Sequence, residues 1–461
     1  MNIKKFKEII KNNILNTYNN FPELDLILIN SFFWNSKEGK NIIFFAIKGV
    51  NEDGNKYIED AIKNGYLIIV SENIEYIEAI KERFTNIHFI VIDNVQKTLN
   101  TLGKFGISNF KGKKFAITGS VGKTTSTYLL NNILKNFYQN ICTDKYNSQY
   151  YLRRLCFQLY DKNEDIFLAE LSSDSLGSID NFGDIIKPDY SIITAIGNAH
   201  IEDFKSFSNI IKEKTSLINH TQNKTFIPIE YEEIIKNEIN VINNENKIIY
   251  VKNDFIINDE KKEITFNING NKMVICNPSL KGNYNYSNMN LVLHTIYESY
   301  PELFNNSINK NKIINTIENL NPFPGRGNII TVDKDDLQLK IICEYHNANS
   351  LSFLKTVENI KEPTVILMGY MYSLGSESHE RHEELFTLME NNANVLNVVL
   401  CDKKIYELGF ILNKYKKLLP AYEDVLFDII TKRPHIKNIF IKGSRSSVLE
   451  NFVKKILDFC E

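Results

Sequence analysis

Ile117-Thr118-Gly119-Ser120-Val121-Gly122-Lys123-Thr124-Thr125 sets two glycines ahead of a lysine and two threonines. Glycine lets backbone N–H groups approach phosphate oxygens, and a helix starting at that point adds the positive end of its dipole. Lys123 would neutralise terminal phosphates, and the Thr124 hydroxyl is a natural Mg²⁺ ligand. Gly119, Ser120, Gly122 and Thr125 complete a candidate ATP-phosphate cradle. The long Walker spacing would put glycine at 117, where this chain has Ile117, so the loop is a shortened variant. The bland alternative is a βα turn that binds nothing. An apolar strand before, a helical pattern after and the Lys-Thr pair weigh against it.

Other side chains could serve the same chemistry. Glu170 stands just past the apolar run Ile166–Ala169, where open α/β sheets place their ligands; it reads as a ligand or as a solvated strand-end acid. His200 also follows a strand. Alone it reads as a buried hydrogen-bonding residue, because imidazole suits so hard an ion as Mg²⁺ poorly. Lys214 lies among Lys212 and Glu213 on a helical stretch, with a plain surface lysine as its ordinary reading. Arg153 and Arg154 could meet an acidic or phosphorylated substrate, or simply be solvated. Asn285 and Asn288 could bond an adenine edge, with Tyr284 stacked on the ring. Arg326 is a planar bidentate donor of the kind that suits phosphate.

The elements that must position these residues alternate strand and helix. Residues 42–47, 67–70 and 88–92 read as strands around a helix at 57–64, and Gly103 to Gly112 reads as a linker. The loop sits between a strand at 114–117 and a helix from Thr124 to about Phe137, with further strands at 166–169 and 190–195. Asn253 to Val274 reads as a β-excursion with an Asn269-Gly270 turn. Beyond Pro322-Phe323-Pro324-Gly325 lie strands at 339–342, 365–368, 395–400 and 439–441. This rhythm predicts an α/β chain of three domains. The centre is a P-loop, doubly wound parallel sheet (108–321), followed by a Rossmann-like α/β domain (322–461) and preceded by a small α/β domain (1–107).

Bulk properties narrow the class. The chain has 461 residues, 43% hydrophobic and 24% charged, with a formal net charge of −2. That balance argues against a nucleic-acid partner. No apolar run is long enough for a membrane span, and the N-terminus lacks a signal peptide pattern. Cys142, Cys156, Cys276, Cys343, Cys401 and Cys460 form no C-x-x-C pair, so neither a zinc nor a redox motif is indicated and reduced, cytoplasmic thiols are expected.

The short form G-x-x-G-K-T resembles the Mur ligase family, and other segments extend the match. Lys187-Pro188-Asp189 through Asn198-Ala199-His200-Ile201-Glu202-Asp203-Phe204 is similar to its K-P-…-A-H-L-E-G-F segment. Gly282, Asn285 and Asn288 match G-x-x-N-x-x-N; Pro324-Gly325-Arg326 matches P-G-R. Asn347-Ala348-Asn349 resembles the N-A-N of the MurF branch. Met368-Gly369, Leu374-Gly375, Ser378 and His382 follow another motif, and Lys442-Gly443-Ser444-Arg445 matches K-G-S-R. The resemblance implies an ATP-dependent ligase of cell-wall peptidoglycan synthesis, monomeric, with small-molecule substrates. A UDP-muramoyl-peptide carboxylate would become an acyl phosphate, and an amine (D-alanyl-D-alanine in the MurF branch) would displace phosphate. It further implies that Thr124, Glu170 and His200 hold Mg²⁺, that Lys214 is carbamylated, and that Arg326 reaches the ATP phosphates. Lys442, Arg445, Asn347 and Asn349 would lie near the nucleotide or the amine, and residues 1–107 would bind the UDP-sugar part.

The departures cluster on the substrate side. The family's D-S-R signature is absent around Ser31 to Ser36. Its N-N-E-x-G-x-P loop, which touches the carboxylate substrate, is Asn147-Ser148-Gln149-Tyr150-Tyr151-Leu152-Arg153-Arg154 here. Ser172 replaces a glycine after Glu170, and Cys343-Glu344 replaces an acidic pair. Two other readings therefore stand beside a MurF-like ligase: the same chemistry on another carboxylate (cofactor, natural-product or pseudomurein), and a nucleotide-binding protein without catalysis. Lys123, Thr124, Glu170, His200 and Arg326 argue against the last.

Overall fold

Along the buried strands, successive apolar side chains enter opposite layers, as a two-residue period requires. Val365 and Leu367 join one apolar cluster while Ile366 and Met368 join the other. In the same way Ile68 and Val70 part from Ile69, and Phe115 and Ile117 part from Ala116. Sheets buried on both faces must be covered by helices on both, which is the doubly wound arrangement expected from the sequence.

A computed structural model describes residues 3–19, 28–29, 42–48, 53–143, 149–173, 175–197, 204–238, 245–280, 282–323, 325–334, 337–345, 350–358, 360–371, 378–407, 419–420, 435–444 and 449–460. The N-terminal sheet comprises β1 (Ile14–Tyr18), β2 (Leu28–Ile29), β3 (Ile42–Ala46), β4 (Ile68–Ser71) and β5 (His88–Ile92) in the order β1-β5-β4-β3-β2. Only β1 runs antiparallel to its neighbour. The central sheet is all parallel, in the order β11-β10-β9-β6-β8-β7. Its strands are β6 (Lys113–Thr118), β7 (Ile141–Thr143), β8 (Ile166–Glu170), β9 (Tyr190–Ile193), β10 (Lys224–Pro228) and β11 (Ile248–Val251).

The expected β-excursion is an antiparallel meander of β12 (Phe255–Asn258), β13 (Glu263–Ile268) and β14 (Asn271–Cys276). Its turn has Asn269 at φ 48° and Gly270 at φ 84°, the pair of left-handed residues a tight hairpin needs. The C-terminal sheet holds β15 (Asn328–Lys334), β16 (Leu337–Glu344), β17 (Thr364–Met368), β18 (Val395–Leu400), β19 (Leu419–Pro420) and β20 (Asn438–Lys442). Its order is β15-β16-β20-β17-β18-β19, with β15 antiparallel.

The stretch read as a linker is corrected in part. Residues 103–108 finish a helix, Val95–Ser108. Gly103 and Gly106 do not break it; they let it press on the helix Gln149–Gln158. A Cβ on Gly106 would lie 2.3 Å from the Cys156 carbonyl oxygen and 2.4 Å from Phe157 Cα. One end of this linker helix gives Val95, Leu99 and Leu102 to the N-terminal core. The other gives Ile107 to the core beneath the central sheet. Phe157 returns the exchange by packing against the N-terminal core.

Among the described residues, no helix is long and apolar enough to cross a membrane.

Candidate active site at the nucleotide loop

β6 ends at Thr118, and the chain turns through 119–122 into the helix Lys123–Leu134. Both glycines are sterically required. Gly119 has φ 143°, and a Cβ there would stand 2.2 Å from Thr194 Oγ1; Gly122 has φ 90°, with Asn288 Oδ1 at 2.7 Å from its would-be Cβ. The end of β9 holds the loop's shape. Ser120 N–H donates to the Ala195 carbonyl at 2.7 Å, and the Thr194 hydroxyl donates to the Val121 carbonyl at 2.5 Å. The Ser120 hydroxyl donates to the Gly197 carbonyl at 2.9 Å. Thr194 was not singled out from the sequence, although a threonine closing a buried apolar strand is a legible signal of a polar duty there.

Four residues from distant parts of the chain meet on this loop. Lys123 is half-buried and its Nζ donates to the Gly119 carbonyl at 2.7 Å. The Thr124 hydroxyl donates to Glu170 Oε1 at 2.9 Å, and Arg326 Nη2 donates to the same Thr124 oxygen at 3.0 Å. Desolvation pushes the Lys123 ammonium below the ordinary lysine range; Glu170 opposes that shift and Arg326 adds to it. Glu170 is 8% exposed, so the solvated-acid reading is corrected. Its carboxylate and the Thr124 hydroxyl form an oxygen pair of the kind a hard divalent cation takes. Among the described residues, no group of three or more His, Cys, Asp or Glu makes a self-sufficient metal site.

Arg326 is delivered by a turn flanked by glycines at φ 76° (Gly325) and 87° (Gly327). The Tyr345 ring lies 2.8 Å from where a Gly325 Cβ would be. Gly327 N–H donates to the Cys343 carbonyl at 2.7 Å, fixing the turn to β16. That strand ends in Glu344, which is hydrogen-bonded to the Lys442 ammonium at the end of β20. Lys442 is buried among Phe353 and Phe440. Burial pushes its ammonium down, Glu344 pulls it back up, and Arg326 lowers it. Arg326 therefore acts electrostatically on the lysines of both domains.

The remaining expectations divide. Lys214 is 4% exposed and donates to Ser173 Oγ at 2.5 Å, whereas Lys212 is exposed. The surface reading of Lys214 is corrected: of the two lysines it is the buried one. Its neighbour Glu213, not singled out before, accepts from Gly177 N–H at 2.6 Å and Ile179 N–H at 2.7 Å. It thereby caps the helix Ser178–Ile186 from outside. Asn285 and Asn288 are buried near the start of the helix Asn283–Ser299, with Asn288 against Gly122 and Tyr284 57% exposed. Thr125 is buried in the first turn of the loop helix.

Arg153 overturns both of its readings. It is 1% exposed, neither solvated nor turned to a solute, because it is enclosed between helices. Arg154 is half-buried, its guanidinium 4.7 Å from the centre of the Tyr151 ring. His382 is structural: buried, stacked on Tyr370, accepting from Met371 N–H at 3.2 Å and bonded through Nδ1 to the Ser378 carbonyl at 2.7 Å. Asn147, His200, Pro324, Asn347, Asn349 and Arg445 lie outside the described residues.

Residues 117–296 match the model of the Mur ligase middle domain. Along nearly its whole length the chain is similar to a UDP-N-acetylmuramoyl-tripeptide--D-alanyl-D-alanine ligase of Rickettsia prowazekii. The two are 27% identical over 92% of this chain and 94% of that one. A crystal structure of MurF from Acinetobacter baumannii shares the fold with a TM-score of 0.75 at 19% identity, covering 99% of this chain and 98% of that one. MurF from Thermotoga maritima in complex with ADP shares it at 0.70 and 22% identity, covering 94% and 98%. A shortened phosphate loop, a central segment that matches the Mur ligase middle domain and a fold shared end to end with MurF structures make the chain similar to the Mur ligases.

Proposed function

We propose that this protein is an ATP-dependent, amide-forming ligase that joins D-alanyl-D-alanine to the terminal carboxylate of a UDP-muramoyl tripeptide, yielding ADP and phosphate in the cytoplasm. The observation that carries it is the meeting of Lys123, Thr124 and Glu170 with Arg326 from the far side of the domain joint. Two anions, a carboxylate and a triphosphate, must approach before chemistry, so cations have to surround the phosphoryl group. Lys123 is aimed across the loop it would fill with phosphate, and its present bond to the Gly119 carbonyl holds it in place. Arg326, bonded to the neighbouring Thr124, offers a planar fork. Thr124 and Glu170 would hold Mg²⁺, which would supply positive charge against the charge that develops during transfer. Lys214, buried beside Ser173 just beyond Glu170, is the residue whose carbamylation would add a further anionic ligand.

The domain limits we assign are 1–107, 108–321 and 322–461, with the linker helix spanning the first boundary. The enzyme is read as a monomer with small-molecule substrates.

A second reading, the same chemistry on another carboxylate, is favoured by one observation. Where the family's substrate loop has proline, Arg153 is engaged inside the protein. The test is phosphate release from ATP and Mg²⁺ with the UDP-muramoyl tripeptide and D-alanyl-D-alanine. Release that requires both acceptor and amine supports the first reading; release only with a different carboxylate replaces it with the second. Lys123→Ala should lower the rate by on the order of 10²–10³-fold or more while circular dichroism shows an unchanged fold. Retained activity would remove the loop from the mechanism.

A further inference from the structure

The question Arg153 raises is why a guanidinium is kept inside a contact between helices. It sits on Gln149–Gln158, and its Nε donates to Asn100 Oδ1 of the linker helix at 2.5 Å. Asn100 in turn donates through Nδ2 to Asn181 Oδ1, 2.9 Å away on the helix Ser178–Ile186. The guanidinium carbon lies 4.6 Å from the centre of the Phe182 ring on that third helix. One arginine thus gathers three helices, and its bonds have direction where apolar packing has none. A buried polar bond of this kind sets register more than it adds stability.

The helix it fixes is placed to matter for the reaction. β7 is the edge strand beside β8, parallel to it, with Thr143 opposite Leu168, two residues before Glu170. β7 therefore ends at the carboxyl edge of the sheet, one strand beyond the Glu170 strand. In open α/β sheets this edge is where ligands bind. The same helix is held to the N-terminal domain, since Gly103 and Gly106 admit its backbone and Phe157 enters the N-terminal core.

We infer that Arg153 is a positioning residue: through Asn100 it sets where the first turn of helix 149–158, and with it the carboxylate of the acceptor, stands relative to Lys123 and Glu170. This rests on the ligase reading above. The acceptor is a molecule that spans from the N-terminal domain to the phosphate loop, and its reacting end is placed by the helix that ties those two regions together. Nucleotide and amine are held by other elements and should not sense it.

The experiment uses the full chain and three variants, Arg153→Met, Arg153→Lys and Asn100→Ala. Arg153→Met should raise the acceptor KM by roughly tenfold or more, since small displacements of reacting groups have large kinetic effects. The KM values for ATP and the amine should stay within about twofold. Arg153→Lys, which can still donate to Asn100, should recover part of the loss. Asn100→Ala, which leaves the arginine in place, should shift the same constant in the same direction and keeps the test open if Arg153→Met does not fold. A fall in thermal stability with an unchanged acceptor KM would make Arg153 merely structural and overturn the inference. If the unaltered protein releases no phosphate with any acceptor, the ligase reading fails by itself. Hydrogen exchange then decides the placement of the helix. Amides of 149–158 should lose protection by about tenfold in the Asn100 variant while those of 123–134 do not, and equal protection throughout would refute it.

Discussion

The two joints of this chain are made of different materials. Between the N-terminal and central domains, backbone meets backbone at Gly106, Phe105 stacks on Tyr160 at 4.9 Å, and Arg153 bonds across at depth. One helix belongs to both cores. Between the central and C-terminal domains, by contrast, the crossing combines half-buried Arg326, bonded to Thr124, with an edge-on ring contact of Phe323 on Tyr128 at 5.5 Å. Among the described residues, both apolar clusters of the C-terminal domain are built from Ile330 onward. Interdigitated cores do not part without exposing apolar surface, whereas charged side chains trade partners easily with water or phosphate. Domain closure is therefore expected at the second joint, with the first moving as part of one body.

The comparison breaks most visibly at Arg326. Arg326→Ala should reduce phosphate release by on the order of 10²–10³-fold while the thermal midpoint hardly moves. A large loss of stability would mean that this joint, too, is structural. The converse holds at Gly106. Gly106→Ala forces a Cβ into a carbonyl oxygen that cannot move alone, and should destabilise by about 2–3 kcal/mol in urea unfolding. A loss below about 0.5 kcal/mol would show that the two helices separate freely.

The smallest effect concerns acid and the C-terminal domain alone. Desolvation lowers the His382 pKa from its ordinary 6.5, with the Ser378 carbonyl pulling the other way. The unfolded chain therefore takes up a proton first. The contribution of the neutral ring is fully present above pH 6.5 and is lost as pH falls from there through the folded value. Protonation also removes the lone pair that accepts from Met371. Thermal melts at pH 7.5 and 5.5 should show a drop that His382→Gln narrows. An equal drop in both would remove His382 as its source.

Much of this was legible in the chain itself, for physical reasons. Val365 to Met368 and His88 to Ile92 are continuous apolar runs, which only strands buried on both faces explain. Gly119 and Gly122 announce a backbone that no other residue can follow. The linker helix was not legible, because Gly103 and Gly106 read as breakers. Their reason for being glycine lies in Cys156 and Phe157, far along the sequence. Arg153 was misread for a related cause: its partners, Asn100 and Phe182, sit on two other helices, and no local pattern announces them. The burial of Lys214 was hidden likewise, because it depends on which face of its helix is covered, and there it meets Ser173.

The close fit at Gly106 also bears on how such chains can be recombined. A chimera cut at the apparent boundary near residue 107 would pair a foreign linker helix with the native surface of helix 149–158. A single methyl group on the wrong side would then keep the two apart. The inheritable module at this end of the molecule is the three-helix contact together with the sheet it carries, so a graft must include both partners of the contact to transplant a working N-terminal domain.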